Sequence, residues 1–155
     1  MAHYRASIDT QRPPEEVFAY LSDFSTTEQW DPGVLEAERL GDAAVGTGTE
    51  FRLVAAFLHR KTQLTYRIVE CDLPSAVTFR GENSSVVSLD RITFEPSAAG
   101  TRITYDADLA LKGPLKIADP LLRMAFNRVG DRALAGLRAA LGATELQSAS
   151  KGQRG

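Results

Sequence analysis

The sequence is poor in the residues that build metal centres, disulfide frameworks and membrane spans. It has one cysteine, two histidines and one tryptophan in 155 residues. Cys71 stands alone, so no internal disulfide forms, and a lone thiol suits a reducing compartment. His3 and His59 are far apart, with no cysteine or acidic cluster beside either, which excludes a structural zinc site of short-spaced ligand pairs. The longest uninterrupted apolar run, Leu53 to Leu58, is six residues. A membrane-spanning helix needs about 20, so no membrane insertion is expected. The N-terminus, Met1-Ala2-His3-Tyr4-Arg5, lacks the charged-then-apolar layout of a signal peptide, and a cytoplasmic location is the expectation.

Charge of one sign is also lacking. The net charge is −2, with 7 basic and 12 acidic residues in positions 1–77 and 11 and 8 in positions 78–155. The basic excess between Lys112 and Arg138 reads as a solvated helix face, and an acidic chain is not expected to bind nucleic acid. What is present, 43% hydrophobic and 25% charged residues, is ordinary for one soluble globular domain.

Positions 3–10 alternate, with Tyr4, Ala6 and Ile8 opposite Arg5, Ser7 and Asp9: a half-buried strand. Pro13-Pro14-Glu15-Glu16 opens a helix, since proline suits the first turn and carboxylates favour the positive dipole end. A second short helix is expected over Phe24 to Trp30, and Asp31-Pro32-Gly33 is a turn by composition. Strands then follow at Val34–Leu40, Thr49–Phe57, Lys61–Glu70, Ala76–Glu82, Val86–Glu95 and Thr101–Leu111. Their connections are too short for crossover helices, so consecutive strands pair antiparallel. Asp119-Pro120 begins a long helix, in which Leu122, Phe126, Val129, Ala133, Leu137 and Leu141 form one apolar stripe.

The fold class is α+β: a curved antiparallel sheet wrapped around the long C-terminal helix, with two short helices after the first strand and an interior volume between sheet and helix. Residues 1–142 are expected to form a single domain and 143–155 a flexible tail.

The order of elements, with Pro14-Glu15-Glu16-Val17-Phe18 and Asp23-Phe24 followed by Trp30-Asp31-Pro32-Gly33, resembles the START-like (SRPBCC) superfamily. Gly46-Thr47-Gly48-Thr49-Glu50-Phe51, Gly100-Thr101-Arg102 with Tyr105, and Lys112-Gly113-Pro114-Leu115 carry the likeness over about residues 3–142. Within it, the polyketide cyclase/dehydrase branch looks most similar. The resemblance implies a helix-grip fold and an internal cavity for hydrophobic small molecules, in proteins ranging from lipid carriers to cyclases and dehydratases.

Strand alternation assigns side chains to the cavity face. Phe51, Leu53, Ala55 and Phe57 share one face, as do Leu64, Tyr66 and Ile68; Val77, Phe79 and Gly81; Ser88, Asp90, Ile92 and Phe94; and Ile103, Tyr105, Ala107 and Leu109. Asp90 is the anomaly, a carboxylate in register with Ile92 and Phe94. Either it is a general base or ligand anchor working with Tyr66 or Tyr105, or it pairs with Arg91 or a turn backbone, or a bulge rotates it outward. Tyr66 and Tyr105 either position a substrate carbonyl or serve as core aromatics. Trp30 lines the cavity mouth or anchors the short helices, and His59 belongs to an exposed hairpin turn. The candidate catalytic residues are thus Asp90, Tyr66 and Tyr105. The ligand-binding set is Trp30, Phe51, Leu53, Leu64, Tyr66, Phe79, Asp90, Ile92, Tyr105, Phe126 and Val129.

Other templates fail on chemistry. Gly41 to Gly48 has phosphate-loop spacing without its lysine or its following helix, and no Gly-x-Ser-x-Gly elbow or dinucleotide fingerprint occurs, so no cofactor is expected. Gly130 and Gly136 interrupt a helix interior at a cost of up to about 1 kcal/mol each, which suggests room for a ligand or a close sheet contact. Two functions remain foremost: binding of a lipid or polyketide-like molecule, or cyclisation or dehydration of such a molecule in the same cavity. A third is a regulatory or partner-binding protein, with a homodimer covering the outer face of Leu53–Leu58.

Overall fold

The computed structural model describes residues 2–57, 59–113, 119–142 and 144–145. Strand β1 (Ala2–Thr10) is followed by helix α1 (Pro14–Ser22), a single 3₁₀ turn (Phe24–Thr26) and the short helix α2 (Thr27–Trp30). Six strands come next: β2 (Val34–Leu40), β3 (Glu50–Phe57), β4 (Arg60–Asp72), β5 (Ala76–Glu82), β6 (Val86–Ser97) and β7 (Gly100–Leu111). Helix α3 (Asp119–Leu141) and a two-residue strand, β8 (Thr144–Glu145), complete the described chain. All strands belong to one antiparallel sheet in the order β2-β3-β4-β5-β6-β7-β1-β8. β8 pairs with Ile8 and Asp9 and is the described part of the expected tail; residue 143 and residues 146–155 lie outside the described residues. No described helix is long and apolar enough to cross a membrane.

Hydrophobic alternation drives most of this arrangement, and two bulges correct it where it would fail. In β4 the pairing runs Ile68 to Phe79 and then Glu70 to Thr78, so Val69 is the extra residue. Without that insertion, the Leu64-Tyr66-Ile68 phase would turn Glu70 into the core. With it, Glu70 stays on the outer face, where it accepts hydrogen bonds from Thr78 and Arg91, and Cys71 faces inward opposite Val77. Val69 is left 45% exposed. A second bulge at Leu35 in β2 likewise exposes a large apolar residue. Such insertions bend the strands and deepen the concavity of the sheet.

The concave face is filled from both sides of α3. Near α1, Phe18 meets Phe94 edge-on at 5.2 Å, and Phe24 stacks on Phe79 at 3.9 Å while contacting Phe51 at 6.2 Å. At the other end Ala2, Leu64, Val86, Leu109 and Leu122 form a smaller cluster. α3 closes over the sheet through Leu122, Ala133, Leu134, Leu137 and Leu141. Gly136 sets its position: a Cβ there would lie 1.8 Å from the Trp30 carbonyl oxygen, so only glycine lets α3 rest on the end of α2.

Candidate functional site

Between the two apolar clusters lies a cavity of about 590 Å³, walled by the sheet, by α3 and by the turn after α2. Leu53, Ala55, Leu64, Ala107 and Leu109 line it from the sheet, and Phe126, Val129 and Ala133 from α3. Arg60, Lys61, Gln63, Asn83 and Ser85 border it at the tips of the β3–β4 and β5–β6 hairpins.

Set into this apolar wall is a polar cluster built on strand alternation. Asp90 and Ser88 are successive inward residues of β6, and the Ser88 hydroxyl donates to Asp90 Oδ1 at 2.6 Å. Tyr105 on β7 donates its phenol to Asp90 Oδ2, also at 2.6 Å. Asp90 is only 7% exposed. Burial raises its pKa, and the two hydroxyl donors oppose that rise. Tyr105 is raised well above the usual phenol range by its own burial and by the Asp90 charge. Tyr66 is raised by burial and then by Asp90, with the Ser88 hydroxyl beside it as the opposing influence. Tyr66 reaches this cluster because β5 carries Gly81 opposite it: a Cβ there would come within 2.5 Å of the Tyr66 ring.

Asp31 joins the same cluster. Its Oδ1 accepts the Gly33 backbone N–H at 2.8 Å, closing the turn that ends α2. Burial pushes its carboxyl up to about 6; the Gly33 hydrogen bond opposes this and the nearby Asp90 adds to it. From the sequence, Asp31 reads only as a turn residue. The available signal is its position directly after Trp30, which also lines the cavity. The Trp30 ring meets Tyr105 edge-on at 6.4 Å, and its buried indole nitrogen has no hydrogen-bond partner among the described residues.

Of the sequence-assigned residues, Trp30, Leu53, Leu64, Tyr66, Asp90, Tyr105, Phe126 and Val129 border the cavity. Phe51, Phe79 and Ile92 do not. They face inward as alternation demands, but each is fully buried in the cluster toward α1, where Phe24 covers Phe51 and Phe79 and keeps them off the cavity wall. The open question at Asp90 resolves inward. Arg91 bonds Glu70 on the opposite face, and β6 runs without a register shift from Val86 to Ser97. His59 has a positive φ of 63° at the hairpin turn and is exposed.

One other group of chemistry-bearing residues lies away from the cavity. His3, Asp106 and Asp108 bring their ligand atoms within 4.8 Å of one another at the surface, a geometry that a cation would accept. The His3 ring is engaged by both carboxylates, Asp108 at 2.6 Å and Asp106 at 3.4 Å, and the Asp108 hydrogen bond raises its pKa.

Comparison with known structures places this architecture. A START superfamily protein from Mycobacterium smegmatis superposes with a TM-score of 0.77 at 14% identity, covering 92% of this chain and 98% of the other. TTHA0849 from Thermus thermophilus superposes at 0.73 with 19% identity, covering 90% and 95%. The di-domain ARO/CYC BexL from the BE-7585A biosynthetic pathway gives 0.69 at 11% identity, covering 90% of this chain and 49% of the larger protein. At these identities the likeness is one of fold, the START-like helix-grip. No curated protein matches the sequence. The sequence itself matches the family described as polyketide cyclase / dehydrase and lipid transport over residues 1–142, and the chain therefore belongs to that family.

Proposed function

We propose that the protein binds an apolar small molecule, lipid or polyketide-like, in the cavity between sheet and α3. Its polar end would lie against Asp31, Tyr66, Asp90 and Tyr105. The observation that carries this reading is a volume of about 590 Å³ with mostly apolar walls and one buried polar cluster. Each 100 Å² of ligand apolar surface removed from water contributes about 2.5 kcal/mol, so a molecule lodged there gains most of its affinity from its body. The polar cluster supplies orientation. The test is native mass spectrometry of the purified protein. Ligand binding is supported by a bound small molecule, co-purified or added from an apolar panel, at one per chain; failure of every panel member to bind overturns it.

A second reading is favoured by one feature, the Asp31 carboxyl near pH 6 beside the Asp90–Tyr105 pair. A carboxyl poised there is suited to take a proton from an activated carbon, while a phenol donates to the enolate oxygen that forms. Holding a flexible chain bent in the cavity would supply proximity for ring closure or water loss. Turnover of a polyketide-type substrate that disappears in Asp31→Asn and Tyr105→Phe would support this cyclase or dehydratase reading. The lone Cys71 fits a cytoplasmic setting, and a second copy would cover the outer face of the Leu53–Leu58 run, where Val54 is half-buried and Ala56 exposed. A strict monomer by light scattering at high concentration would remove the homodimer.

A further inference from the structure

We propose that the ligand carries a protonated amine, held between the carboxyls of Asp31 and Asp90 and the rings of Trp30, Tyr66 and Tyr105. This deepens the binding reading above and rests on it.

The first observation is an imbalance of charge. Asp31 and Asp90 both lie on the cavity wall, and neither forms an ion pair among the described residues. Asp90 is hydrogen-bonded by two neutral hydroxyls, and Asp31 by a backbone N–H. The basic residues that border the same cavity, Arg60 and Lys61, are exposed at the hairpin tip. Neither Arg60 nor Lys61 forms an ion pair with Asp31 or Asp90 among the described residues, so no side chain of the cavity neutralises the two carboxyls by direct contact. Buried carboxylates without a cation are costly. An ammonium group on the ligand would supply the missing charge.

The second observation is independent of the carboxyls. Trp30, Tyr66 and Tyr105 border the cavity together, with Trp30 edge-on to Tyr105 at 6.4 Å; Phe24 also borders it but stacks one face on Phe79. Aromatic faces grouped around a cavity attract cations, and the attraction strengthens once the cation is desolvated. The Trp30 indole nitrogen is itself buried and unpartnered among the described residues, so it is the ring that Trp30 offers to the cavity.

Binding should respond to pH. Facing the two carboxyls are Tyr66 from β4, Tyr105 from β7 and, from the other side of β7, Asp108, which raises Asp90 further. Tyr4 of β1 borders the cavity and donates its phenol to Asp131 of α3. The other α3 residues at the wall, Phe126, Val129, Gly130, Ala133 and Leu134, do not titrate. An ammonium ligand favours ionised carboxyls and displaces their protons. Its affinity therefore rises with pH through the range in which they titrate, while an alkylamine stays protonated throughout.

The experiment titrates the full chain with n-decylamine, n-decanol and n-decanoate by calorimetry at about pH 5 and about pH 7.5. Decylamine should bind at least about tenfold more tightly than decanol at the higher pH, with decanoate weakest, and the preference should shrink at the lower pH. Asp31→Asn should remove most of the preference by weakening the amine more than the alcohol, and Asp90→Asn is the second variant. Decanol equal to or tighter than decylamine overturns the amine while leaving the binding reading intact. Saturable binding of none of the three overturns both.

Discussion

The contact between α3 and the end of α2 offers a sharp test, because one missing methyl group decides it on steric grounds alone. Replacing Gly136 with alanine puts a Cβ 1.8 Å from the Trp30 carbonyl oxygen and 3.0 Å from its carbonyl carbon. Ordinary heavy-atom contacts are about 3.5–4.0 Å, so the two backbones must separate by well over an ångström. Overpacking of this kind costs about 1–3 kcal/mol, and a clash with backbone belongs at the upper end. Alanine returns about 1 kcal/mol of helix propensity, leaving a net loss of about 2 kcal/mol. For a chain of this size that lowers Tm by about 4–8 °C. Gly130→Ala is the matched control in the same helix. Its Cβ would meet the Tyr4 ring at 2.6 Å, a side chain with the adjoining cavity to move into, so the same propensity gain meets a smaller penalty. Thermal and urea unfolding of both variants should therefore place Gly136→Ala at least about 1 kcal/mol below Gly130→Ala. A Gly136→Ala protein melting at or above wild type would refute the docking geometry, and with it the placement of Trp30 and Asp31 on the cavity wall.

The remaining predictions concern the polar cluster. The Asp31 carboxyl is raised from 3.8 to about 6, so folding favours its neutral form. The stability it contributes is fully present below about pH 4 and is lost as pH rises through about 6, a swing of roughly 2–3 kcal/mol. Asp31→Asn keeps an acceptor for the Gly33 N–H and should match wild type near pH 4 but melt several degrees higher at pH 7.5; parallel melting curves across that range would contradict this. Tyr105→Phe removes the 2.6 Å hydrogen bond to Asp90 and should cost about 1–3 kcal/mol in urea unfolding. Gly81→Ala should displace the Tyr66 ring and weaken ligand affinity, measured by calorimetry; unchanged affinity would show that Tyr66 does not meet the ligand.

Much of the fold and half of the site are legible in residue order. Period-two alternation places Tyr66, Ser88, Asp90 and Tyr105 on one face, and the isolated carboxylate among Ile92 and Phe94 points to the polar cluster. Three features are not legible, each for a tertiary reason. Alternation says which residues face inward but not which of them meet a void. Phe51, Phe79 and Ile92 look identical in pattern to Leu53 and Tyr105, and the packing of Phe24 from across the chain keeps Phe51 and Phe79 off the wall. The bulge at Val69 keeps Glu70 on the outer face; its mark in the sequence is a glutamate at the next inward position after Ile68, but a break in phase there does not by itself say whether the strand bulges or ends. Asp31 has the local chemistry of any Asp-Pro-Gly turn, and only the arrival of β4, β6 and β7 beside it makes its carboxyl part of a site.

An apolar molecule that occupies this particular cavity would lie against the protein's single tryptophan, which provides the readout. Val129 borders the cavity from α3, and Val129→Phe adds bulk into it without adding a fluorophore at the Trp30 wavelength. Decanol titrated against wild type and Val129→Phe, followed by Trp30 emission with Tm measured in parallel, distinguishes binding in this cavity from binding elsewhere. A saturable one-site change is expected in wild type, with an affinity at least about tenfold weaker in a variant that still melts near wild type. Equal affinity in the two proteins would place the ligand elsewhere and contradict binding in this cavity.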